Sequence, residues 1–499
     1  MLLPASVRVF IFATQKKNKN LFQKIVSCMK IEQIYTGCLA QAAYYIESEG
    51  EVAIIDPLRE VQPYLEKAKE DKATIKYIFE THFHADFVSG HLSLSKATAA
   101  PIVFGPNAET HFESLIATDG QEFRLGNVTL KVLHTPGHTL ESTCYLLKDE
   151  HGKERALFSG DTLFLGDVGR PDLAQKSGVL SEKDLAGMLF NSLRTKIMPL
   201  PDTVVIYPAH GAGSACGKNL SKKTTDTLGN QKKTNYALRT SMSQEEFIEE
   251  VTAGLTDPPA YFPMNVKMNK EGCDPIASVL KRGTRALSAK DFKAVANATE
   301  AIILDIRSQQ DFGKGHIPGA VFVGLDGSFA PWVGALIADV QQPLLLVAPI
   351  GREQEAITRL SRVGFDITLG YLKGGFEAWK KAGKEVDKVA SMDATDFKTL
   401  LKKNRAPVFD VRSKSEFFSE HVLQANNSPL AALNQHLEDF PEKETFYLHC
   451  AGGYRSMIAA SFLKRRGIHN FIEVAGGMKA IKEAGVSLSD YQCPSKSTS

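Results

Sequence analysis

The sequence predicts a multidomain α/β protein. Its 499 residues correspond to roughly three domains of ordinary size. Between residues 31 and 215, short β-rich runs alternate with polar turns and helical pieces, which is typical of α/β domains. Beyond residue 300, the chain repeats itself with a period of about 100 residues, too long for a solenoid and typical of two tandem domains.

Composition narrows the class of protein. The chain is 43% hydrophobic and 23% charged, which suits folded cores rather than disorder. A net charge of +2 is too small to attract nucleic acid or an anionic membrane electrostatically. No apolar run approaches the roughly 18 residues of a membrane span. Because the seven cysteines are scattered, with no C-x-x-C, we expect neither a disulfide framework nor a cysteine zinc site, and we predict a cytoplasmic location.

Residues 1–30 have a different character. They contain basic residues but no acidic one, and their short apolar stretch precedes most of the charge. This pattern fits neither a signal peptide nor an Arg-rich and Ser-rich presequence. We therefore expect a disordered leader, with regular strand patterning beginning at residue 31.

Histidine and aspartate residues follow the predicted strands of the first domain. THFHADFVSGH (81–91), TPGHT (135–139), SGDTL (159–163) and YPAHG (207–211) each come after an apolar run. Side chains presented at several strand ends converge at one edge of a sheet. A lone histidine at such a place is usually a satisfied polar residue, but this number of groups predicts a metal site. The members are His82, His84, Asp86, His138, Asp161 and His210.

This order and spacing resemble the metallo-β-lactamase superfamily, whose pattern is H-x-H-x-D-H followed by His, Asp and His. The resemblance implies an αββα sandwich over residues 31–258. One position departs from the pattern, because Phe87 stands where the sixth residue of the first motif is a histidine of the second metal site. We therefore expect a single metal ion rather than a dinuclear hydrolytic centre.

Within the superfamily, the strings THFHADFVSGH, TPGHTLEST and SGDTLFLGDVGRPDL resemble persulfide dioxygenases. That family implies one Fe(II) per chain held by two histidines and one carboxylate, which map to His82, His138 and Asp161. Three such ligands leave open positions on iron for a substrate sulfur and for O₂. His84, Asp86 and His210 then orient ligands or substrate by hydrogen bonding, or simply stabilise the loops.

Other residues near these motifs leave alternatives open. Arg170 is a candidate for binding a carboxylate of a thiol carrier, although an ion pair with Asp167 or Asp172 explains it equally well. Cys38 and Cys216 either line the metal site or pack in the interior, and we favour packing.

The C-terminal half carries the internal repeat. AIILDIRSQQDFGKGHIPGA (301–320) matches APVFDVRSKSEFFSEHVLQA (406–425), and a G-G turn precedes the last helix of each copy. In the second copy, a strand runs through Cys450 into the loop CAGGYR (450–455). Backbone N–H groups of such a curled loop, with a helix N-terminus beneath, stabilise a thiolate.

This loop resembles the active-site loop of rhodaneses, in which the cysteine carries sulfane sulfur as a persulfide. The resemblance implies catalytic roles for Cys450 and Arg455. Four residues between cysteine and arginine favour sulfur over phosphate, because the related phosphatases have a longer loop. The loop residues that would surround the persulfide are Ala451, Gly452, Gly453 and Tyr454. In the first copy the aligned position is Ala348, or Val347 with a one-residue gap, so this copy cannot carry sulfur covalently and is expected to be a scaffold.

Together these resemblances imply a persulfide dioxygenase fused to a double rhodanese module. It would oxidise a persulfide of the glutathione or coenzyme A type with O₂ to sulfite, and transfer sulfur to that sulfite to make thiosulfate. We expect a homo-oligomer with no nucleic-acid or membrane partner. The alternative is a zinc-dependent thioesterase of the glyoxalase II type with a fused sulfurtransferase. The predicted divisions are a leader at 1–30, the metallo-β-lactamase domain at 31–258, a linker at 259–284, a cysteine-free rhodanese-like domain at 285–388 and a rhodanese domain with Cys450 at 389–490.

Overall fold

The computed structural model describes residues 7–11, 29–174, 180–218, 220–255, 257–403 and 406–492. The chain divides into two compact units. The first comprises Met1–Ile276 with Arg362–Gly364, and the second comprises Ala277–Ser361 with Phe365–Ser499. Among the described helices, none is long and apolar enough to cross a bilayer.

The N-terminal unit contains two mixed sheets. The first sheet has strands β1 to β7 in consecutive order: Val7–Ile11, Lys30–Thr36, Gln41–Ser48, Glu51–Ile55, Thr74–Phe79, Ile102–Phe104 and Leu115–Ile116. The second sheet has strands β8 to β13 in consecutive order: Glu122–Leu125, Val128–His134, Thr143–Lys148, Glu154–Gly160, Val205–Pro208 and Asp226–Thr227. Strand β1 lies within the predicted leader, and the other leader residues before Met29 lie outside the described part of the chain.

The two sheets pack face to face. Tyr44 of the first sheet contacts Phe158 of the second, with ring centroids 5.0 Å apart, within a fully buried aromatic and aliphatic core. Helices cover both outer faces of this sandwich: Leu189 and Phe247 pack on the second sheet, and Tyr64 packs on the first. The αββα arrangement expected from the resemblance is therefore confirmed.

Six α-helices among the described residues accompany these sheets: α1 to α6 are Gln62–Glu70, His91–Thr98, Glu182–Ser192, Leu228–Thr234, Gln244–Thr252 and Phe262–Glu271. Helix α7, Ile276–Gly283, belongs to the second unit apart from its first residue. Helix α5 begins with a capping box, in which Ser243 and Glu246 satisfy each other's backbone N–H groups. Helices α6 and α7 both lie inside the predicted linker 259–284, and the domain boundaries themselves stay predictions.

The C-terminal unit contains two five-stranded parallel sheets of identical topology. Each has its strands in the spatial order first, fifth, fourth, second, third. The first sheet comprises Ala286–Leu287, Ile302–Asp305, Val321–Phe322, Leu344–Val347 and Thr368–Leu372 (β14 to β18), and the second comprises Ser391–Met392, Val408–Asp410, Ala425–Asn427, Phe446–His449 and Phe471–Val474 (β19 to β23). The internal repeat predicted from the sequence is thus confirmed.

Helices α8 to α16 complete the two repeats. They are Ala289–Thr299, Gln309–Lys314, Phe329–Leu336, Glu353–Ser361, Gly375–Lys381, Ala394–Lys403, Lys414–Ser419, Tyr454–Arg465 and Gly477–Glu483. Helix α15 of the second repeat packs against β16 of the first, where the Phe322 N–H donates to Ser461 Oγ at 2.9 Å. The two repeats therefore share one interior surface.

Strand register shows which residue replaces the cysteine in the first repeat. Asp305 pairs with Val347, and the equivalent Asp410 pairs with His449. Because the pairings match without a gap, Ala348 stands at the position of Cys450, which resolves the choice between Ala348 and Val347.

Candidate metal centre and cysteine loop

Three of the strand-end residues meet in the interior of the N-terminal unit. His138 Nε2 lies 3.4 Å from Asp161 Oδ2, and His82 Nε2 lies 3.9 Å from the same oxygen. All three side chains are buried, and their ligand atoms lie within 4.8 Å of one another. The structure therefore brings together the three residues that the resemblance implies as metal ligands.

Hydrogen bonds on the far side of each ring orient the two histidines. His138 Nδ1 lies 2.8 Å from the Arg170 carbonyl oxygen, which can only accept, so Nδ1–H donates and Nε2 is left as a ligand atom. His82 Nδ1 contacts Thr81 Oγ1 at 2.9 Å, and that hydroxyl donates in turn to Asp56 Oδ2. Burial, together with the neighbouring histidines, lowers the pKa of His82 well below its usual range, which keeps the ring in the neutral form that binds metals.

The carboxylate of Asp161 tests whether these residues fit a metal ion. Both of its oxygens are buried and have no hydrogen-bond partner among the described residues. A buried carboxylate without hydrogen bonds is costly, and a cation between it and two imidazole nitrogens compensates that cost. Two histidines and one carboxylate form a known donor set for Fe(II), and their nitrogen and oxygen donors also suit zinc. The donor set therefore fits a divalent metal without distinguishing iron from zinc.

A second buried group adjoins the first. His210 Nε2 lies 3.6 Å from Asp161 Oδ1 and 3.4 Å from Asp86 Oδ2. Cys216 belongs to this group, with its ligand atom within 4.8 Å of those of Asp86 and His210. Burial raises the pKa of Cys216 well above that of an ordinary thiol and also raises the pKa of Asp86. Cys216 is buried, as packing in the interior requires, and it also lies beside the metal centre, so the structure is compatible with both alternatives for this residue.

His84 lies in a different cluster from the other predicted residues. Its Nε2 is 3.0 Å from Asp56 Oδ1 and 3.3 Å from Glu80 Oε2, both of which are buried. Although burial opposes protonation, these two carboxylates raise the pKa of His84 well above its usual value. His84 thus contacts Asp56 and Glu80, whereas His210 contacts Asp86 and Asp161.

Phe87 fills the position where the superfamily pattern has a histidine. Its side chain is fully buried, and its ring centroid lies 4.2 Å from that of His84. A phenyl ring there adds apolar surface and no metal ligand.

Arg170 is engaged in an ion pair. Its Nε and Nη2 donate to the two carboxylate oxygens of Asp172, each at 2.7 Å, and the side chain is 4% exposed. Of the two alternatives left open by the sequence, the ion pair with Asp172 describes these contacts. Carrier binding by Arg170 stays a prediction.

The second candidate site is the loop around Cys450. The Gly453 N–H donates to Cys450 Sγ at 3.1 Å, and the cysteine is 1% exposed. Helix α15 begins at the next residue, Tyr454, so its N-terminus lies beside the sulfur. Gly477 allows the loop to close, because a Cβ there would lie 2.4 Å from the Cys450 carbonyl oxygen. This arrangement can stabilise a thiolate or a terminal persulfide anion.

Arg455 makes a bidentate ion pair with Glu416. The two N–O distances are 2.6 and 2.7 Å. Although burial acts to raise it, the hydrogen bonds from Arg455 lower the pKa of Glu416 to about 2. The guanidinium is therefore held in place beside the loop, and its catalytic role stays a prediction.

The remaining loop residues face in different directions. The Ala451 carbonyl accepts from the Lys479 N–H at 3.1 Å, within the second repeat. The Tyr454 hydroxyl donates to the Gly324 carbonyl at 2.7 Å, in the first repeat. Tyr454, predicted as part of the persulfide environment, thus contacts the cysteine-free copy.

Comparison with known proteins agrees with both halves of this architecture. Residues 36–210 match the metallo-beta-lactamase superfamily, and residues 288–382 and 393–484 match the rhodanese-like domain. A solved metallo-beta-lactamase from Staphylococcus aureus is 32% identical, with a TM-score of 0.62, and the match covers 69% of this chain and 99% of that one.

The chain belongs to the metallo-beta-lactamase superfamily.

Other similar proteins match a smaller share of this chain. A probable hydroxyacylglutathione hydrolase from Schizosaccharomyces pombe is 32% identical over 36% of this chain and 66% of its own length. A hydroxyacylglutathione hydrolase from Rhizobium etli is 36% identical over 32% of this chain and 57% of its own length. The solved ETHE1 from Myxococcus xanthus is 28% identical with a TM-score of 0.42, over 48% of this chain and 97% of that one. The chain thus spans less than two thirds of either hydrolase.

Sequence reasoning missed one residue that supports the metallo-beta-lactamase site. Asn269 of α6 is buried, and its Nδ2 donates to the carbonyls of His84 and Phe87, both at 2.8 Å. Its Oδ1 accepts from the Ser89 N–H at 2.8 Å. The segment predicted as a linker therefore supports the loop that carries His82. The prolines at positions 258, 259 and 263 are the sequence feature that indicates an ordered segment here.

Proposed function

We propose that this chain oxidises a low-molecular-weight persulfide, of the glutathione or coenzyme A type, to sulfite and then converts sulfite to thiosulfate. The observation that carries the proposal is the fully buried Phe87 beside a three-residue donor set of His82, His138 and Asp161. With a phenyl ring in place of a ligand, these residues suit one metal ion with open positions. The rhodanese-like repeat with Cys450 supports sulfur chemistry in the same chain.

The roles of this chain's own residues follow from their contacts. One Fe(II) ion at the three ligands would supply open coordination positions for the persulfide sulfur and for O₂. The Arg170 carbonyl and Thr81 hold the imidazoles so that each Nε2 faces Asp161. Persulfide, O₂ and water balance to thiol, sulfite and released protons, with the terminal sulfur oxidised and O₂ reduced.

The second reaction uses Cys450. The Cys450 thiolate attacks the terminal sulfur of a second persulfide molecule, whose S–S bond breaks to release the thiol and leave a persulfide on Cys450. Sulfite then attacks this terminal sulfur, the S–S bond to Cys450 breaks, and thiosulfate leaves with the cysteine as a thiolate. The Gly453 N–H at 3.1 Å and the helix N-terminus stabilise that thiolate. Because both sites belong to one chain, sulfite forms at a high effective concentration for the second reaction. We also propose a cytoplasmic homo-oligomer.

A zinc-dependent thioesterase is the second candidate. It is favoured by the similarity to hydroxyacylglutathione hydrolases and by the second group of Asp86, His210 and Cys216 next to Asp161. Zinc would lower the pKa of a bound water to make a nucleophile. Phe87 argues against it, because a ligand position of the hydrolytic centre is lost.

Metal analysis separates the two candidates. Protein purified without oxygen should contain one iron per chain and should consume O₂ with glutathione persulfide. Two zinc ions per chain, hydrolysis of a glutathione thioester and no oxygen uptake after iron loading would instead establish the hydrolase.

Two substitutions in the full chain test whether persulfide oxidation and sulfur transfer take place at separate sites. Cys450→Ser should abolish thiosulfate formation and leave oxygen uptake nearly intact with sulfite accumulating, because serine forms no persulfide. His138→Ala should stop oxygen uptake and preserve sulfur transfer from an added persulfide to added sulfite. Cys273→Ser is the matched control and should change neither rate. A Cys450→Ser protein that forms thiosulfate at the full rate would contradict the proposal.

A further inference from the structure

One peptide group of the Cys450 loop is held from both sides. The N–H of the Gly452–Gly453 peptide donates to Cys450 Sγ at 3.1 Å. The carbonyl of the same peptide, that of Gly452, accepts from Gln309 Nε2 at 3.2 Å. Gln309 belongs to helix α9 of the first repeat, so a side chain from the cysteine-free copy holds the peptide that faces the sulfur.

The hydrogen bond from Gln309 to the Gly452 carbonyl matters because this peptide is flexible. Gly453 has φ of 95°, a conformation that glycine adopts and leaves easily. Rotation of the peptide plane would turn the N–H away from the sulfur. A donor at the carbonyl opposes that rotation, and it also polarises the peptide so that its N–H becomes a stronger donor to a negative sulfur.

Helix α9 provides a stable base for Gln309. Ser308 caps the helix by accepting from the Asp311 N–H at 3.1 Å. On the same helix, a Cβ at Gly313 would lie 3.2 Å from Met457 Cε of α15, so the two helices approach closely. The Tyr454 hydroxyl adds a second link between the repeats at Gly324. The position of Gln309 relative to the loop is thus determined by packing within one compact unit.

We propose that Gln309 is a positioning residue for sulfur transfer, through which the cysteine-free repeat completes the sulfur site of the second repeat. The inference rests on the proposed role of Cys450 as a sulfur carrier and adds a function for the copy that has Ala348 in place of the cysteine. Gln309 acts through the Gly452–Gly453 peptide and needs no contact with the substrate.

The charged groups around the loop stay the same when Gln309 is replaced by an uncharged residue. Arg455 lies beside Cys450 and is paired with Glu416. Glu473 Oε1 lies behind the loop and contacts Ser456 Oγ at 2.9 Å, and Asp410 lies behind His449. An effect of this replacement on sulfur transfer therefore measures the hydrogen bond from Gln309 to the Gly452–Gly453 peptide.

The test is sulfur transfer from glutathione persulfide to sulfite by the full chain, measured between pH 6 and 9. Gln309→Met keeps the length of the side chain and removes the donor. It should lower kcat/KM for the persulfide about 3- to 10-fold below neutral pH, as expected for the loss of one hydrogen bond. The acidic limb of the profile should move to higher pH, while the KM for sulfite changes little. Gln309→Glu should have a larger effect, because a carboxylate repels both the carbonyl oxygen and the thiolate.

Gln310→Met is the matched control, since Gln310 is the exposed next residue of α9. It should behave as wild type, as should oxygen uptake by every variant. A Gln309→Met protein with the wild-type pH profile would overturn the inference alone. Equal losses in Gln309→Met, Gln309→Glu and Gln310→Met would also overturn it, because they indicate a loss of packing. Wild-type protein that transfers no sulfur from Cys450 would refute the proposed function and this inference together.

Discussion

Replacing Asn269 by leucine should loosen the loop that carries His82. The substitution keeps the volume of the side chain and removes three hydrogen bonds, to the carbonyls of His84 and Phe87 and from the N–H of Ser89. Each abandoned backbone group is buried, so each costs about 1 to 3 kcal/mol when left without a partner. The apolar leucine recovers part of that loss, and we expect a net destabilisation of about 3 to 5 kcal/mol.

Calorimetry of the full chain measures this change. A loss of that size should lower the transition of the N-terminal unit by about 6 to 20 °C. The variant should also retain less metal after dialysis, because His82 lies on the loop that Asn269 supports.

Asn265 is the matched control on the same face of α6. It is fully buried, and neither its Oδ1 nor its Nδ2 has a hydrogen-bond partner among the residues that the structure describes. Asn265→Leu should therefore be neutral or stabilising, because it removes a buried polar group that makes no bond. Equal transition temperatures and metal contents for Asn269→Leu and wild type would refute the reasoning.

Two further substitutions test individual contacts. Burial raises the pKa of Glu473, so its neutral form stabilises the fold below the usual carboxyl pKa, and this contribution is lost as the pH rises through the folded-state value. In calorimetry, the transition temperature of Glu473→Gln should equal that of wild type at pH 4 and should exceed it increasingly toward pH 8. A transition temperature of the variant that falls below that of wild type as the pH rises would contradict the raised pKa. Arg170→Ala tests the predicted carrier binding and should raise the KM for a charged persulfide more than it lowers turnover of a small neutral one. Equal losses on both substrates would instead indicate that Arg170 acts through its ion pair with Asp172.

The sequence by itself determined the features that depend on local pattern. Strand-end motifs predicted that His82, His138 and Asp161 would converge, since each follows an apolar run. The structure places them after strands of both sheets, with His82 after β5 of the first sheet and the other two after β9 and β11 of the second. The repeat could be read directly, because equivalent strands and G-G turns recur in the same order. The loss of the cysteine in the first copy was also visible, because neither of the two residues that could align with Cys450, Ala348 and Val347, is a cysteine.

Only the tertiary structure decided contacts between residues distant along the chain. Asn269 bonds to a carbonyl 185 residues away, and Gln309 bonds to one 143 residues away. Cys216 joins Asp86 and His210 because its loop folds back over the site, and His84 turns to Asp56 and Glu80 although it lies two residues from His82. Hydrophobic periodicity specifies which face of an element is buried, but the partner of a buried polar group depends on how the elements pack.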